Sequence, residues 1–357
     1  MFYGLLRAAM NGDHFTALLT DDAWRAVFAE AHRQSLVGVL WTVAQHQQLP
    51  MEVALPWASE AETIRGLNAL LNSEAARLTE LFEREGRQTA ILKGQANARL
   101  YPDPLSRQPG DIDIWVSGGK QLVTELVERC LPSKREPTTS YHHIHLPTNE
   151  RGVDVEVHFR PASGNFNPLT NRRLQRWLEQ EIQHTTKVAE GFNVPTMAFA
   201  LAMQLAHVQR HFLGSGVGLR QVCDYYRLLC LSTEDDRSQL AASLAPFGLK
   251  HVGGALMWVL QQVLGLDDRL LLCQPDSRRG EWMLREMMAG GNFGYHALRM
   301  QHGVWRRVAE GRLRHLQLMR FDFGEMAWLE ANYWKTIVET LPTRIRYRTL
   351  SLKDIPR

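Results

Sequence analysis

Cysteine is scarce in this chain: four in 357 residues (Cys130, Cys223, Cys230 and Cys273), with no CxxC pair. That spacing excludes a zinc ribbon or a dithiol redox motif and predicts buried, reduced thiols. Long apolar runs are also absent. The richest, Val252 to Leu266, carries Gln261 and Gln262 and falls short of the roughly 18 apolar residues of a membrane span. The opening MFYGLLRAAMNGDH has no basic leader and too short an apolar stretch for a signal peptide, which predicts a cytoplasmic address. Nor does charge of one sign dominate. The 41 Lys and Arg against 38 Asp and Glu leave +3, which names no class of partner. A local excess emerges only from Gln301 onward, with eleven basic against six acidic residues.

What is present is enough hydrophobic material, 45% of the chain, for two or three packed units. Trp24, Val27, Phe28 and Ala31 recur at helical spacing behind Asp21 and Asp22. Pro50 breaks that pattern, and after Pro56 one long helix is predicted over Glu60 to Arg87, with Leu67, Leu70, Leu71, Leu78, Leu81 and Phe82 on its apolar face. The texture changes at Thr89. AILKG is a short β-like run ending in glycine, QANARLY a turn or two of helix, and PDPLSRQPGD a loop. DIDIWV alternates acid and apolar residues at the period of a strand, and Lys120 to Cys130 reads as a helix. YHHIHL and VDVEVHF, separated by the turn-rich PTNERG, predict an antiparallel hairpin. From Asn171 the pattern returns to helices. The expected layout is a helical region over 1–87, an α/β core over 88–165 and a helical region over 166–357.

On a strand, Asp111 and Asp113 share one face, about 7 Å apart, and two such carboxylates repel unless a cation lies between them. The same alternation groups Asp154, Glu156 and His158, so a third acid joins the pair if the two strands are neighbours. Three acids on adjacent strands are what two hard divalent ions need for phosphoryl or nucleotidyl transfer. Upstream, Lys93 and the backbone at Gly94 are placed to approach phosphates, and Arg107 lies just before the acids. Taken alone, a DxD is usually no more than the wet face of a strand.

LKGQANARLYPDPLSRQPGDIDIWV, followed by VDVEVHFRP, resembles the uncharacterised nucleotidyltransferase family of the DNA polymerase beta superfamily. Its members carry an LKG, a LYP, an arginine, a DIDI or DIDL, and a later acid-x-His. The resemblance spans roughly residues 90 to 161, and more weakly the helical lead-in and LAHVQRH with LRQVCDYYRLL. It implies an α+β fold, a nucleotidyltransferase-like mixed sheet core with N-terminal and C-terminal helical regions. It implies that Asp111 and Asp113 ligate Mg²⁺ (or Mn²⁺), that Glu156 is the third acid, and that Gly94 marks the nucleotide loop. Asp154 competes with Glu156, which is preferred because the family pattern sets an acid two residues before a histidine, here His158. The expected reaction moves a nucleoside monophosphate from an NTP to an acceptor hydroxyl, with Lys93 and Arg107 steadying the triphosphate. Two features depart from the superfamily: Gln95 stands where serine or glycine is usual, and the loop from Gly94 to Asp111 is long.

Other constellations compete. His142, His143, His145 and His158 with Asp154 are suitable ligands for zinc or iron in a metallohydrolase. Alternatively the acids are silent and the chain is a module that binds a nucleotide or another partner. His207 and His211 share a helix face and read as ordinary surface residues, while Asp224, near Arg210 and Arg220, is a candidate base for the acceptor if it reaches the cleft. LGSGVGLRQ reads as a flexible turn. The basic residues Arg306, Arg307, Arg312, Arg314, Arg344, Arg346 and Arg348 read as a solvated face, with an RNA or acidic partner as the alternative. The acceptor, the preferred NTP and the oligomeric state have no signature in the sequence.

Overall fold

The computed structural model describes residues 1–133, 135–294, 296 and 304–346. Four helices open the chain: α1 (Phe2–Asn11), α2 (Asp21–Gln34), α3 (Val37–Ala44) and α4 (Met51–Arg84). Strand β1 (Thr89–Ile91), the short α5 (Gln95–Ala98), β2 (Ile112–Val116), α6 (Gly119–Cys130), β3 (Thr138–Thr139), β4 (His143–His145) and β5 (Val155–His158) follow. Then come α7 (Pro168–Glu181), β6 (Thr185–Lys187), β7 (Asn193–Pro195), α8 (Met197–Leu213), α9 (Leu219–Leu231), α10 (Glu234–Ser243), α11 (Lys250–Leu264), α12 (Ser277–Gly290), α13 (Val304–Leu318) and α14 (Phe323–Arg346). The expected α+β class, with a mixed sheet between helical regions, is what forms.

The sheet runs β1-β2-β5-β4-β3, with β2 and β5 parallel and the other neighbours antiparallel. The predicted hairpin is β4–β5, in the register His143↔His158, Ile144↔Val157 and His145↔Glu156. Asn149 closes it, its Oδ1 accepting from the backbone N–H of Arg151 and Val153. All five residues of β2 are buried, because helices cover both faces. Ile112, Ile114 and Val116 pack with Leu71, Leu78 and Phe82 of α4 and with Val123, Leu126 and Val127 of α6. Trp115, on the opposite face, joins a larger core shared by α1–α3, α8, α9, α11 and α12. Asp113 therefore faces helices rather than bulk water.

Two elements differ from expectation. Helix α4 starts at Met51 and runs through Pro56. Proline in the second turn forgoes one intrahelical hydrogen bond, while Val53 and Trp57 on either side are buried in the core. The β6–β7 hairpin falls in a stretch expected to be helical. Its strands are three residues long and mostly polar, too short to show a period of two. Asn193 fastens it to α4 by donating to Glu83 and to the main sheet by donating to Thr89 of β1.

The four cysteines are free, with Cys223 fully buried. Among the described residues no helix is long and apolar enough to cross a membrane. In the basic C-terminal segment, Arg312 pairs with Glu330 at 2.9 Å and lies over Tyr333. Arg314 is buried, donating to the carbonyls of Phe212, Leu213 and Gly214 and to Glu286. These two guanidiniums act inside the fold. Arg348 and the side chains of Arg307, Arg344 and Arg346 lie outside the described residues.

Trp57 is the hinge of the N-terminal packing: fully buried, stacked on Phe28 at 4.9 Å and donating its indole N–H to the Val37 carbonyl at 2.8 Å. Trp57→Ala is expected to cost about 3–5 kcal/mol, measured as a lowered urea midpoint by circular dichroism.

Candidate active site

The parallel pairing of β2 with β5 sets Asp113 opposite Glu156. His158, two residues on and on the same face, lies 3.0 Å by Nε2 from Asp113 Oδ1 and 3.4 Å from Glu156 Oε2. Lys93 enters from the end of β1, with Nζ 2.6 Å from Asp113 Oδ2 and 3.8 Å from Asp111 Oδ1. Asp113, 1% exposed, thus has a cationic partner at each oxygen, whereas Asp111, one residue before the strand, is 38% exposed. Glu156 receives two further imidazoles across the hairpin, His143 at 3.4 Å and His145 at 3.7 Å.

Burial alone would neutralise Asp113, Glu156, Lys93 and His158, but their mutual charges reverse it. Burial pushes the Asp113 carboxyl up, and Lys93 followed by His158 brings it below the ordinary range. Burial likewise raises Glu156, yet donation from His158 and the nearby cations hold it at about 2. Burial lowers Lys93, and Asp113 with Asp111 lifts it above the usual lysine value. His158 follows the same pattern: burial pulls it down, and hydrogen bonds to Asp113 and Glu156 raise it. His142, by contrast, is pushed down to about 3 by burial and then by its cationic neighbours.

The turn after Lys93 requires glycine. Gly94 has φ +61°, and an added Cβ would stand 3.3 Å from the Asp111 carbonyl oxygen. Gln95, the departure from the superfamily pattern, turns away from the acids. Its side chain is buried against α4, donating to Asn72 Oδ1 at 2.7 Å and the Asn68 carbonyl at 3.3 Å.

The long loop between Gly94 and Asp111 is pinned from three sides. Asn68 of α4 donates to the carbonyls of Leu105 and Arg107. Gly38 of α3 lets the loop approach so closely that a Cβ would meet the Ser106 oxygen at 2.3 Å. From α9, Asp224 accepts a two-pronged hydrogen bond from Arg107 at 2.7 and 2.8 Å and a third bond from Tyr101 at 2.7 Å. Arg107 and Asp224 were expected to serve the triphosphate and the acceptor. They are about 5% and 3% exposed and spend their polar atoms on each other. Asp154 also stays apart: it is exposed, just before β5, and accepts from Thr148.

The wall facing the acids comes from α8 and α9. His207 and His211 lie with ring centres 4.3 Å apart and planes tilted by 59°. They are half-buried, and burial lowers both, His211 to about 4. Arg220 donates to the carbonyls of Gln108 and Pro109, just before Asp111. Its Nε has no hydrogen-bond partner among the described residues, and burial, then Arg107, lowers it to about 10. In the sequence these residues look like any helix face, and Tyr101 looks like a core aromatic. Only the packing of α8 and α9 over the sheet brings them to the acids. The surface hollows bounded by His46 and by Met197 lie elsewhere, since none of the three acids lines either.

Chemically, the site gathers two carboxylates and an imidazole. Asp113, Glu156 and His158 each offer a ligand atom within 4.8 Å of the others, and the carboxylates suit Mg²⁺ or Mn²⁺. Its frame rests on Asp224. Because the folded carboxyl lies below its ordinary value, held there against burial by Arg107 and Tyr101, its stabilisation is complete above about pH 4 and is lost as pH falls further. Asp224→Asn is expected to cost about 3–5 kcal/mol at neutral pH. The gap from the parent should narrow below about pH 4, as read by denaturant unfolding across that range.

No curated protein matches the sequence. Among solved structures, an antigenic nucleotidyltransferase-like protein from Paracoccidioides brasiliensis aligns at 15% identity and a TM-score of 0.38, covering 59% of this chain and 96% of that one. The Thermotoga maritima CCA-adding enzyme complexed with tRNA aligns at 12% identity and a TM-score of 0.24, covering 69% and 71%. A family model described as uncharacterised nucleotidyltransferase matches residues 20–265, which takes in α2 to α11 and every acid of the cluster. On that match the chain belongs to the uncharacterised nucleotidyltransferase family.

Proposed function

We propose that the protein transfers a nucleoside monophosphate from an NTP to an acceptor hydroxyl and releases pyrophosphate. The observation that carries this is the pairing of Asp113 with Glu156 on adjacent parallel strands, with Asp111 two residues upstream and Lys93 touching both aspartates. Asp111, Asp113 and Glu156 would hold Mg²⁺ or Mn²⁺. When bound, such ions make the acceptor hydroxyl a better nucleophile and neutralise the leaving phosphate.

The chain's own groups do the positioning. Lys93 is the cation nearest both aspartates and can trade a carboxylate oxygen for a phosphate oxygen as charge rearranges. Gly94, lacking a Cβ, lets backbone come close to a phosphate. Arg220 brings a second positive charge from the opposite wall. Arg107 and Asp224 act as positioning residues, fixing the loop that delivers Asp111. Water exclusion would fall to α8 and α9, which bring His207, His211 and Arg220 within electrostatic reach of Lys93 and Asp111.

One observation favours a second reading, a nucleotide-binding module without catalysis. Lys93 and His158 already compensate Asp113, so the acids are stable as they stand. Incubation with each α-phosphate-labelled NTP, Mg²⁺ and a host lysate separates the two. Label is expected to move to protein, RNA or a small molecule, and Asp113→Asn should slow that movement by about 10²–10³-fold. Nucleotide-dependent thermal stabilisation without any transfer would leave the binding module standing, and transfer that survives loss of both Asp111 and Asp113 would refute the mechanism.

A further inference from the structure

Beside the acids lies a second set of donors that the transfer chemistry does not use. Residues 140–143 lead into β4, and β5 returns next to it, so His142, His143 and His158 come together at one end of the sheet. Each offers a ring nitrogen within 4.8 Å of the others. The individual separations are informative. His142 Nε2 lies 3.0 Å from His143 Nδ1, which is 3.4 Å from Glu156 Oε2, which is in turn 3.4 Å from His158 Nε2. Ligands around a zinc ion at about 2.05 Å stand roughly 3.3 Å apart along a tetrahedron's edges. The three imidazoles lie within reach of that spacing, and Glu156 flanks them.

The surroundings hold the set in place. The His142 carbonyl accepts from the backbone N–H of Phe159 and Arg160, fastening the hairpin beyond its last paired residues. The other ring nitrogen of His142 lies 3.5 Å from Ser140 Oγ, an outer partner that leaves Nε2 turned toward His143. Ser140 Oγ also donates to the His143 carbonyl. His145 is more exposed and reaches only the other oxygen of Glu156, at 3.7 Å.

From this geometry we infer that His142, His143 and His158 form a site for a divalent transition ion of the zinc class, with its remaining position open to water. Three imidazoles suit such an ion and do not suit Mg²⁺, which asks for oxygen. The site shares His158 with the acid cluster but does not rest on nucleotidyl transfer. Because His158 also bonds Asp113 through Nε2, the two sites communicate through one ring.

The test uses the full chain, stripped with a chelator, saturated with Mg²⁺ and titrated with Co²⁺ while visible absorption is recorded. One equivalent of Co²⁺ is expected to bind with the intense ligand-field bands of four-coordination and to be displaced by Zn²⁺. His142→Ala and, separately, His143→Gln should each weaken binding by more than about 100-fold, beyond the loss typical of an outer partner, while Asp111→Asn leaves it in place. A parent protein that takes up no Co²⁺ in Mg²⁺ overturns the site, as do two histidine variants that bind like the parent. Label transfer with Mg²⁺ alone is assayed on the same preparations. Absent transfer with intact Co²⁺ binding counts against the transferase reading only, and transfer without Co²⁺ binding counts against the metal site only.

Discussion

The ion pair between Arg107 and Asp224 is the constraint on which the rest of the cleft depends. A buried carboxylate and a buried guanidinium each lose several kcal/mol of hydration, and only close, two-pronged contact with further hydrogen bonds offsets that loss. Here the offset is complete on the Asp224 side, because both oxygens accept from Arg107 and one also accepts from Tyr101. All three groups bear on one geometry. Arg107 and Tyr101 belong to the loop that ends at Asp111, and Asp224 belongs to the helix whose first turn brings Arg220 to the same loop. A change of register in either segment would strand a charge.

With the loop fixed, the acid cluster becomes an exercise in charge balance. Lys93 and His158 stand against Asp111, Asp113 and Glu156, with further imidazoles beside Glu156. The carboxyls of Asp113 and Glu156 lie below their ordinary values and the two cations above theirs, which is the mark of a network satisfied internally. An entering dication and a triphosphate would exchange partners within such a network rather than create charge in an apolar space. This explains how three acids tolerate one another in a fold that leaves Asp113 only 1% exposed.

Much of this was visible in the residues. The alternation in DIDIWV placed Asp113 on a strand, and the acid-x-His of VDVEVHF placed Glu156 and His158 on its neighbour. The turn residues between the two histidine-rich and acidic runs announced the hairpin. What the sequence could not show was long-range partnership. Arg107 and Asp224 are 117 positions apart, and nothing local in either distinguishes a substrate contact from a structural tie. Asp154 obeys the same alternation as Glu156 but precedes the strand, where it turns to Thr148. His207 and His211 carry the spacing of an exposed helix face, yet they are half-buried and within electrostatic reach of Lys93, which no local spacing announces. Gln95 interrupts the expected phosphate-loop pattern, yet its side chain points into α4 and leaves the turn at Gly94 intact.

The shared core of the first and last helices has a bearing on how the chain reaches this state. Arg7 of α1 donates to the carbonyls of Gln262 and Val263, and Arg33 and Gln34 of α2 reach the end of α12, across separations of about 250 positions. Those partners are made late in synthesis, so α1 and α2, which can pack early on α3 and α4, leave the rest of their contacts unmade until α11 and α12 exist. Contacts of such long sequence separation close slowly, since chain entropy must be lost before they form. The acid cluster lies between these two ends of the chain, and its final geometry waits for α9. A nascent chain that has completed the sheet therefore still lacks α9 and the Asp224 that fixes the loop before Asp111.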